Sequence, residues 1–229
     1  MKYLLGSELA GFIKERQAKQ VRQLLQAYKI QPKLAIVAAS DNPTIKTYVN
    51  LKKKYGAEVG VIVEEHVETT ASILNTIRRL NDDESVHGII VQLPLSDETQ
   101  TETVLQSVRS TKDVDGLSID SLFDAATPIA INWLLTGYNV ELKGKRIVIV
   151  GNGRLVGEPL NKMWLNSGLQ PFVVDAETAN KEDQIAQADV IVTAVGKPAL
   201  ISSELVKYDA VVVDAGVASE KGVLKGDVA

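Results

Sequence analysis

Tyr48 and Lys52 stand four residues apart in NPTIKTYVNLKKK, so on a helix they share one face. A lysine held between apolar walls and polar partners has its pKa lowered and becomes suited to proton transfer, and a tyrosine beside it can orient a ring or relay a proton. A plainer reading competes: Lys52-Lys53-Lys54 is a charge run, and such lysines are ordinarily solvated. Gln92 closes the apolar run of VHGIIVQLPL. Ligands of open α/β sheets sit outside the carboxyl ends of the strands, which makes a polar residue there a candidate; a hydrogen-bonded buried amide is the alternative. Asp113 and Asp115 lie in KDVDG, where Asp-Gly is also ordinary turn chemistry.

A second group of residues could hold a phosphate. Gly151, Gly153 and Gly157 in VGNGRLVGEP follow an apolar run and precede a helical pattern. Glycine lets a backbone turn sharply and approach a pyrophosphate, and the helix N-terminus adds free N–H groups and positive dipole. The spacing, GxGxxxG, is one residue longer than the usual dinucleotide fingerprint, so a tight turn without a ligand competes with nucleotide binding. Asp175 follows 22 residues after Gly153, at the end of the next apolar run. A carboxylate in that place holds ribose hydroxyls and repels a 2′-phosphate; a strand-end Asp capping the next helix, with Thr178 and Asn180 as rivals for the cap, is the other reading.

The elements that must position these residues read as alternating strands and helices. Leu9, Phe12, Ile13, Val21, Leu24 and Leu25 recur at helical spacing. KLAIVAAS (33–40) predicts a buried strand, 44–56 a helix, 60–64 a strand, 70–82 a helix, 86–95 a strand and 96–110 a helix. Residues 111–126 are polar and irregular, and a helix begins near Pro128. The second half repeats the theme with strands in 144–150, 171–177, 188–196 and 210–217. This alternation implies parallel sheets covered by helices. The expected architecture is α/β with two domains, residues 1–126 and 127–229.

Bulk properties exclude several function classes. The chain has 229 residues, enough for two modest cores, and a net charge of −4 without a basic tract, so no electrostatic footprint for nucleic acid exists. There is no cysteine and there are two histidines, so thiolate and histidine-rich metal sites are excluded and no metal is expected. His87 is expected to pack at a strand start and His66 to lie on the surface. No apolar stretch resembles a signal peptide or a membrane span, so a cytoplasmic protein with no membrane partner is expected.

Taken in order, NPTIKTYVNLKKKYGAEVGV, VHGIIVQLPL, KDVDGL, TP, LKGKRIVIVGNGRLVGEP, ADVIVTAVGKP and VVVDAGV resemble the bifunctional methylenetetrahydrofolate dehydrogenase/cyclohydrolase family over essentially the whole chain. The resemblance implies an N-terminal α/β catalytic domain, a Rossmann-like NAD(P)-binding domain and an active-site cleft between them. It implies that Tyr48 stacks on the folate, that Lys52 is the acid/base residue, that Gln92 hydrogen-bonds and tunes the lysine, and that Asp115 holds the pterin edge. It implies a cofactor set of Gly151, Asn152, Gly153, Arg154, Val156, Gly157, Asp175 and Val217, a tetrahydrofolate derivative as substrate, and a homodimer. The implied chemistry is oxidation of methylenetetrahydrofolate to the methenyl compound, then hydrolysis to formyltetrahydrofolate.

Departures from the family pattern shape the expectation. Ile45 stands where the family has a serine, Asn152-Gly153 where it has Arg-Ser, and Asp175-Ala176 where it has His-Ser. The loss of phosphate-friendly groups and the gain of a carboxylate favour NAD over NADP, with Arg154 as a shifted cation. After VLKGDVA the family pattern would continue with a Pro-Gly-Gly-rich segment and a helix returning to the catalytic domain, which leaves a shortened gene, a fragment and a degenerate paralogue open. A cyclohydrolase alone, or a non-catalytic folate- or nucleotide-binding module, are the alternatives to full bifunctional activity.

Overall fold

The computed structural model describes all residues except 1, 40, 41, 221 and 222. The chain divides into two compact units, Met1–Phe123 and Asp124–Ala229. No helix among the described residues is long and apolar enough to cross a membrane.

The first unit is built on a parallel three-stranded sheet in the order β2-β1-β3, with β1 at Lys33–Ala38, β2 at Ile62–Val67 and β3 at Gly88–Gln92. The central strand, KLAIVA, is apolar on both faces because both are covered: Ala35, Val37, Ile89 and Val91 pack with Ile73, Ile77 and Leu80, while Ile36, Ala38 and Ile90 pack with Ile45 and Val49. The edge strand β2 carries Glu64, Glu65 and His66 and is only partly covered. Helix α1 (Gly6–Tyr28) precedes β1, α2 (Pro43–Val59) links β1 to β2, and α3 (Ile73–Asp82) links β2 to β3. In α3 the buried residues Ile73, Thr76, Ile77 and Leu80 form one stripe at i, i+3, i+4 and i+7. By contrast α1 buries a single residue, Val21, along its 23-residue length, and Phe12 is 75% exposed.

The predicted helix over 96–110 is shorter than its pattern. A 3-10 turn at Glu98–Gln100 leads into α4 (Thr101–Gln106), because Asp97 accepts from the Thr99 backbone N–H at 3.0 Å and starts the turn there. Beyond it, the irregular stretch is tied to the sheet. The Ile89 N–H donates to the Lys112 carbonyl at 2.7 Å, and Ile89 pairs with Asp113 in a parallel bridge. Gly88 allows this approach, since a Cβ there would stand 2.9 Å from Val114.

The second unit opens with α5 (Ala126–Gly137) and continues with a parallel sheet in the order β5-β4-β6-β7: β4 at Ile147–Val150, β5 at Phe172–Val174, β6 at Val190–Thr193 and β7 at Val211–Asp214. Helix α6 (Gly157–Asn166) follows β4, and Leu160 and Trp164 from it are fully buried against Ile147, Ile149 and Val192. The opposite face buries Val148, Ile191 and Ile201. The helix after β5, implied only by the capping reading of Asp175, is α7 (Lys181–Ala186), and an antiparallel hairpin of β8 (Ala218–Glu220) and β9 (Val223–Lys225) was not anticipated. Both are too short for a periodic signal.

Candidate functional site

Helix α2 carries three consecutive lysines with three different environments. Lys54 is exposed, and Lys53 pairs with Glu65 of β2 at 2.5 Å. Lys52 is partly buried and donates from Nζ to Gln92 Oε1 at 2.7 Å. Helical geometry explains the difference: Ile45, Val49 and Lys52 fall at i, i+4 and i+7, so Lys52 continues the stripe that Ile45 and Val49 bury completely against the sheet. Ile45, where a serine was expected from the family pattern, is 3% exposed and belongs to that apolar floor.

Gln92 ends β3, and its amide is held from the other side, Nε2 donating to the Leu93 carbonyl at 3.2 Å. That fixes Oε1 toward the lysine. Asp115 is brought to the same place by the 112–115 segment that flanks β3. Its neighbour Asp113 is 4% exposed; it accepts from the Ser118 N–H at 2.8 Å and the Ser118 hydroxyl at 2.7 Å, closing the turn that presents Asp115. Burial lowers the Lys52 pKa from its ordinary value, opposed by the negative charge of Asp115. Burial raises the Asp115 carboxyl above the usual range, opposed by Lys52 and reinforced by Asp113. Each group is displaced toward its neutral form by desolvation and drawn back by the other's charge.

Tyr48 lies one turn before Lys52 and is 38% exposed. A hollow of about 840 Å³ runs along α1 and α2, with Val21, Leu24, Leu51 and Tyr55 in its wall. Tyr48 and Lys52 border it, whereas Gln92 and Asp115 do not, so it is not centred on the acid/base group.

In the second unit the glycine turn is tightly constrained. Gly151 has φ +97°, and a Cβ there would stand 2.9 Å from the Ala194 carbonyl oxygen. At Gly157, the first residue of α6, a Cβ would stand 1.9 Å from the Gly151 carbonyl oxygen. The turn therefore folds back on itself at a helix N-terminus, the arrangement that admits a pyrophosphate to backbone N–H groups. Asn152, Gly153 and Arg154 are exposed at its tip, and Val156 is half-buried just before the helix. The Gly151 N–H donates to the Val174 carbonyl at 2.8 Å, which sets Asp175, the next residue, beside the turn. Asp175 Oδ1 accepts from the Glu177 N–H at 3.0 Å and the Thr178 hydroxyl at 2.7 Å, and these bonds hold its exposed carboxyl below the ordinary range. The carboxylate is thus ionised, with Oδ1 engaged in this local turn. Helix α7 starts later, after Asn180, without a side-chain cap. Val217, 56% exposed, lies past β7, where its carbonyl oxygen would stand 3.1 Å from a Cβ at Gly196. The residues of this unit fit a nicotinamide dinucleotide: a cradle without Cβ atoms at a helix N-terminus, and a carboxylate one strand away.

The sequence reading passed over Thr193, Val195, Lys197 and Asp227, which form a hydrogen-bonded group behind the same turn, with the Thr193 and Asp227 side chains buried. The signal that singled out Gln92, a polar residue closing an apolar strand, also marks Thr193 at the end of VIVT. The histidines divide. His87 accepts from the Lys33 N–H at 3.2 Å at the start of β3, as expected, but His66 is half-buried on β2, its Nε2 3.9 Å from the Glu64 carboxylate and without a hydrogen bond. No cluster that could hold a metal occurs among the described residues.

Comparison with known proteins followed the same division of the chain. The model of the tetrahydrofolate dehydrogenase/cyclohydrolase catalytic domain matches residues 4–115, and that of the tetrahydrofolate dehydrogenase/cyclohydrolase NAD(P)-binding domain matches residues 125–229. Among curated proteins, the bifunctional protein FolD of Staphylococcus epidermidis is 36% identical over 100% of this chain and 84% of its own. The crystal structure of the bifunctional FolD methylenetetrahydrofolate dehydrogenase/cyclohydrolase of Campylobacter jejuni superposes with a TM-score of 0.92 at 37% identity, over 100% of this chain and 86% of that one. The Trypanosoma brucei methylenetetrahydrofolate dehydrogenase-cyclohydrolase, solved with NADP and an inhibitor, superposes at 0.89 with 29% identity, over 97% of this chain and 84% of that one.

Proposed function

The chain belongs to the tetrahydrofolate dehydrogenase/cyclohydrolase family, and from that premise we propose that it oxidises 5,10-methylenetetrahydrofolate to the methenyl compound and hydrolyses that to 10-formyltetrahydrofolate. The observation that carries the proposal is the 2.7 Å contact between the desolvated Lys52 amine and Gln92, with Asp115 close enough for its charge and that of Lys52 to act on each other.

A bound nicotinamide dinucleotide supplies the hydride acceptor of the first step. The chain's own part is to hold the folate and manage protons. Tyr48 offers an exposed ring one helical turn from Lys52, suited to stacking. Asp115, its pKa raised by burial and drawn back by Lys52, offers carboxyl oxygens that accept from the N–H donors of a pterin edge. The methenyl carbon is electrophilic, and water attacking it must lose a proton as the C–O bond forms. Lys52 Nζ, its pKa lowered by burial, takes that proton, and the ammonium so formed is held by Gln92 Oε1 and the charge of Asp115. The same ammonium then returns a proton to the ring nitrogen as its bond to the carbon breaks.

NAD rather than NADP is the preferred dinucleotide in this reading. The ionised Asp175 carboxylate beside the glycine turn would accept from ribose hydroxyls and repel a 2′-phosphate, and Asn152-Gly153 offers no cation to it. A cytoplasmic location, expected from the apolar pattern of the chain, and assembly as a homodimer, implied by the family resemblance, complete the proposal.

The test is an absorbance assay of methylenetetrahydrofolate oxidation with NAD and with NADP, run beside hydrolysis of the methenyl compound. Oxidation with NAD together with hydrolysis is the expected result. Hydrolysis without oxidation reduces the protein to a cyclohydrolase, and neither activity rejects the enzymatic reading.

A further inference from the structure

Behind the glycine turn, three loops leave the carboxyl ends of β4, β6 and β7, and one residue, Asp227, ties the end of β6 to the end of β7. Asp227 is fully buried. Its Oδ2 accepts from the Thr193 hydroxyl at 2.6 Å and the Val195 N–H at 2.8 Å, and its Oδ1 accepts from the Lys197 N–H at 2.7 Å. The Asp227 backbone is pinned in turn: its N–H donates to Asp214 Oδ1 and the Val228 N–H donates to Asp214 Oδ2, both at 3.0 Å. Two glycines make room for this reciprocal clasp. A Cβ at Gly216 would fall 2.1 Å from the Asp227 carboxyl carbon, and one at Gly226 would fall 2.0 Å from Asp214 Oδ2.

What the clasp holds is the 194–197 loop, and that loop is the back wall of the glycine turn. The Ala194 carbonyl and the Val195 side chain would lie 2.9 and 3.0 Å from a Cβ at Gly151, and Gly196, at φ +76°, approaches the Val217 carbonyl. A backbone loop with no apolar residue buried at its tip needs another source of order, since Val195 and Lys197 are exposed. A buried carboxylate accepting three hydrogen bonds provides it, because each such charge-assisted bond is short and strong in a desolvated setting.

We propose that Asp227 is a positioning residue for the dinucleotide: by fixing the Val195 and Lys197 N–H groups it sets the 194–197 loop at the distance from Gly151 that the cofactor needs. The proposal rests on the dinucleotide reading of this unit. It predicts a change in cofactor affinity rather than in the chemical step.

The test uses the full chain carrying Asp227→Asn, in which an amide NH₂ replaces one acceptor and faces a donor. NADH binding is followed by fluorescence titration and steady-state oxidation by its kcat and KM. The expected result is a Kd for NADH raised about tenfold or more, with KM for NAD rising in parallel and kcat at saturation within about twofold. A variant that only loses folded protein would lower kcat and leave KM and Kd unchanged, and that outcome overturns the proposal. Should Asp227→Asn fail to fold, Thr193→Val decides: it removes one of the three bonds without a change of shape, and a rise in Kd of about two- to fivefold is expected, against no change if the clasp does not matter. A wild-type protein that binds no NADH overturns the dinucleotide reading and the proposal with it, whereas wild-type binding unaltered in both variants overturns the proposal alone.

Discussion

The two units solve opposite problems with the same scaffold of parallel strands. Around Lys52 the working groups are side chains, and what prepares them is loss of water: an apolar floor of Ile45 and Val49 below, Gln92 at 2.7 Å, and Asp115 displaced in the opposite sense. Around Gly151 the working groups are backbone, and what prepares them is loss of side chain: two glycines whose Cβ atoms would collide with carbonyl oxygens. Proton transfer needs a titration moved by environment, whereas anion binding needs only access to N–H groups. The first site therefore tolerates no change of side-chain chemistry, and the second no gain of side-chain volume.

The sharpest break of this contrast is Lys52→Met, which keeps length and removes the amine. Hydrolysis of the methenyl compound should fall about 10²–10⁴-fold, the usual worth of a positioned acid/base group. A hydrolysis rate within a few-fold of wild type would remove Lys52 from the mechanism. Next is Gly157→Ala in the other unit. The added methyl would stand 1.9 Å from the Gly151 carbonyl, so the turn must open, and NADH affinity should drop about 100-fold while hydrolysis persists. Unchanged NADH titration would show that the turn does not contact the cofactor.

A smaller effect separates the causes of the Lys52 shift. The neutral amine is the base, so hydrolysis should rise with pH through the depressed lysine pKa and then level off. Asp115 raises that pKa, so Asp115→Asn should move the midpoint toward acid as well as slow the reaction. A midpoint moved toward alkali would contradict the assigned coupling. Smaller still, Asp175→Ser should narrow the NAD over NADP preference about five- to tenfold, read as the ratio of kcat/KM values.

The smallest effect is one of stability. The folded pKa of Lys52 is below the unfolded value, so the unfolded chain binds the proton more tightly, and stability contributed by this group falls as pH drops from the ordinary lysine range through the folded pKa. Lys52→Met should raise the unfolding temperature at neutral pH by about 2 °C and lessen its dependence on pH over that window. A lower melting temperature would mean that the amine stabilises the fold.

Much of this was legible in the chain. Continuous apolar runs marked β1, β3, β4 and β6 because strands covered on both faces have no polar side, and glycines marked the turn after β4. The Tyr48–Lys52 spacing pointed to one helix face but could not separate Lys52 from Lys53 and Lys54. What separates them is the buried stripe of Ile45 and Val49, and recognising it requires knowing which face of α2 meets the sheet. Asp113 read as turn chemistry and is turn chemistry, yet it also shapes the presentation of Asp115. Asp227 gave no signal at all: its partners lie 30 to 34 residues away, on a loop whose closeness only the sheet order brings about.

Helix α1 has a consequence for how the molecule breathes. Most helical stability in a protein comes from the packing of one face, yet α1 fully buries only Val21 in twenty-three residues and meets α2 through the exposed Lys14–Glu58 pair and Tyr55–Gln17 hydrogen bond. Its amides should exchange with deuterium ahead of those in β1, β3 and β4, and a protease added to the native protein should cut first between Gly6 and Tyr28. The rest of the first unit would then be the part that resists digestion, with the Lys52 neighbourhood inside it.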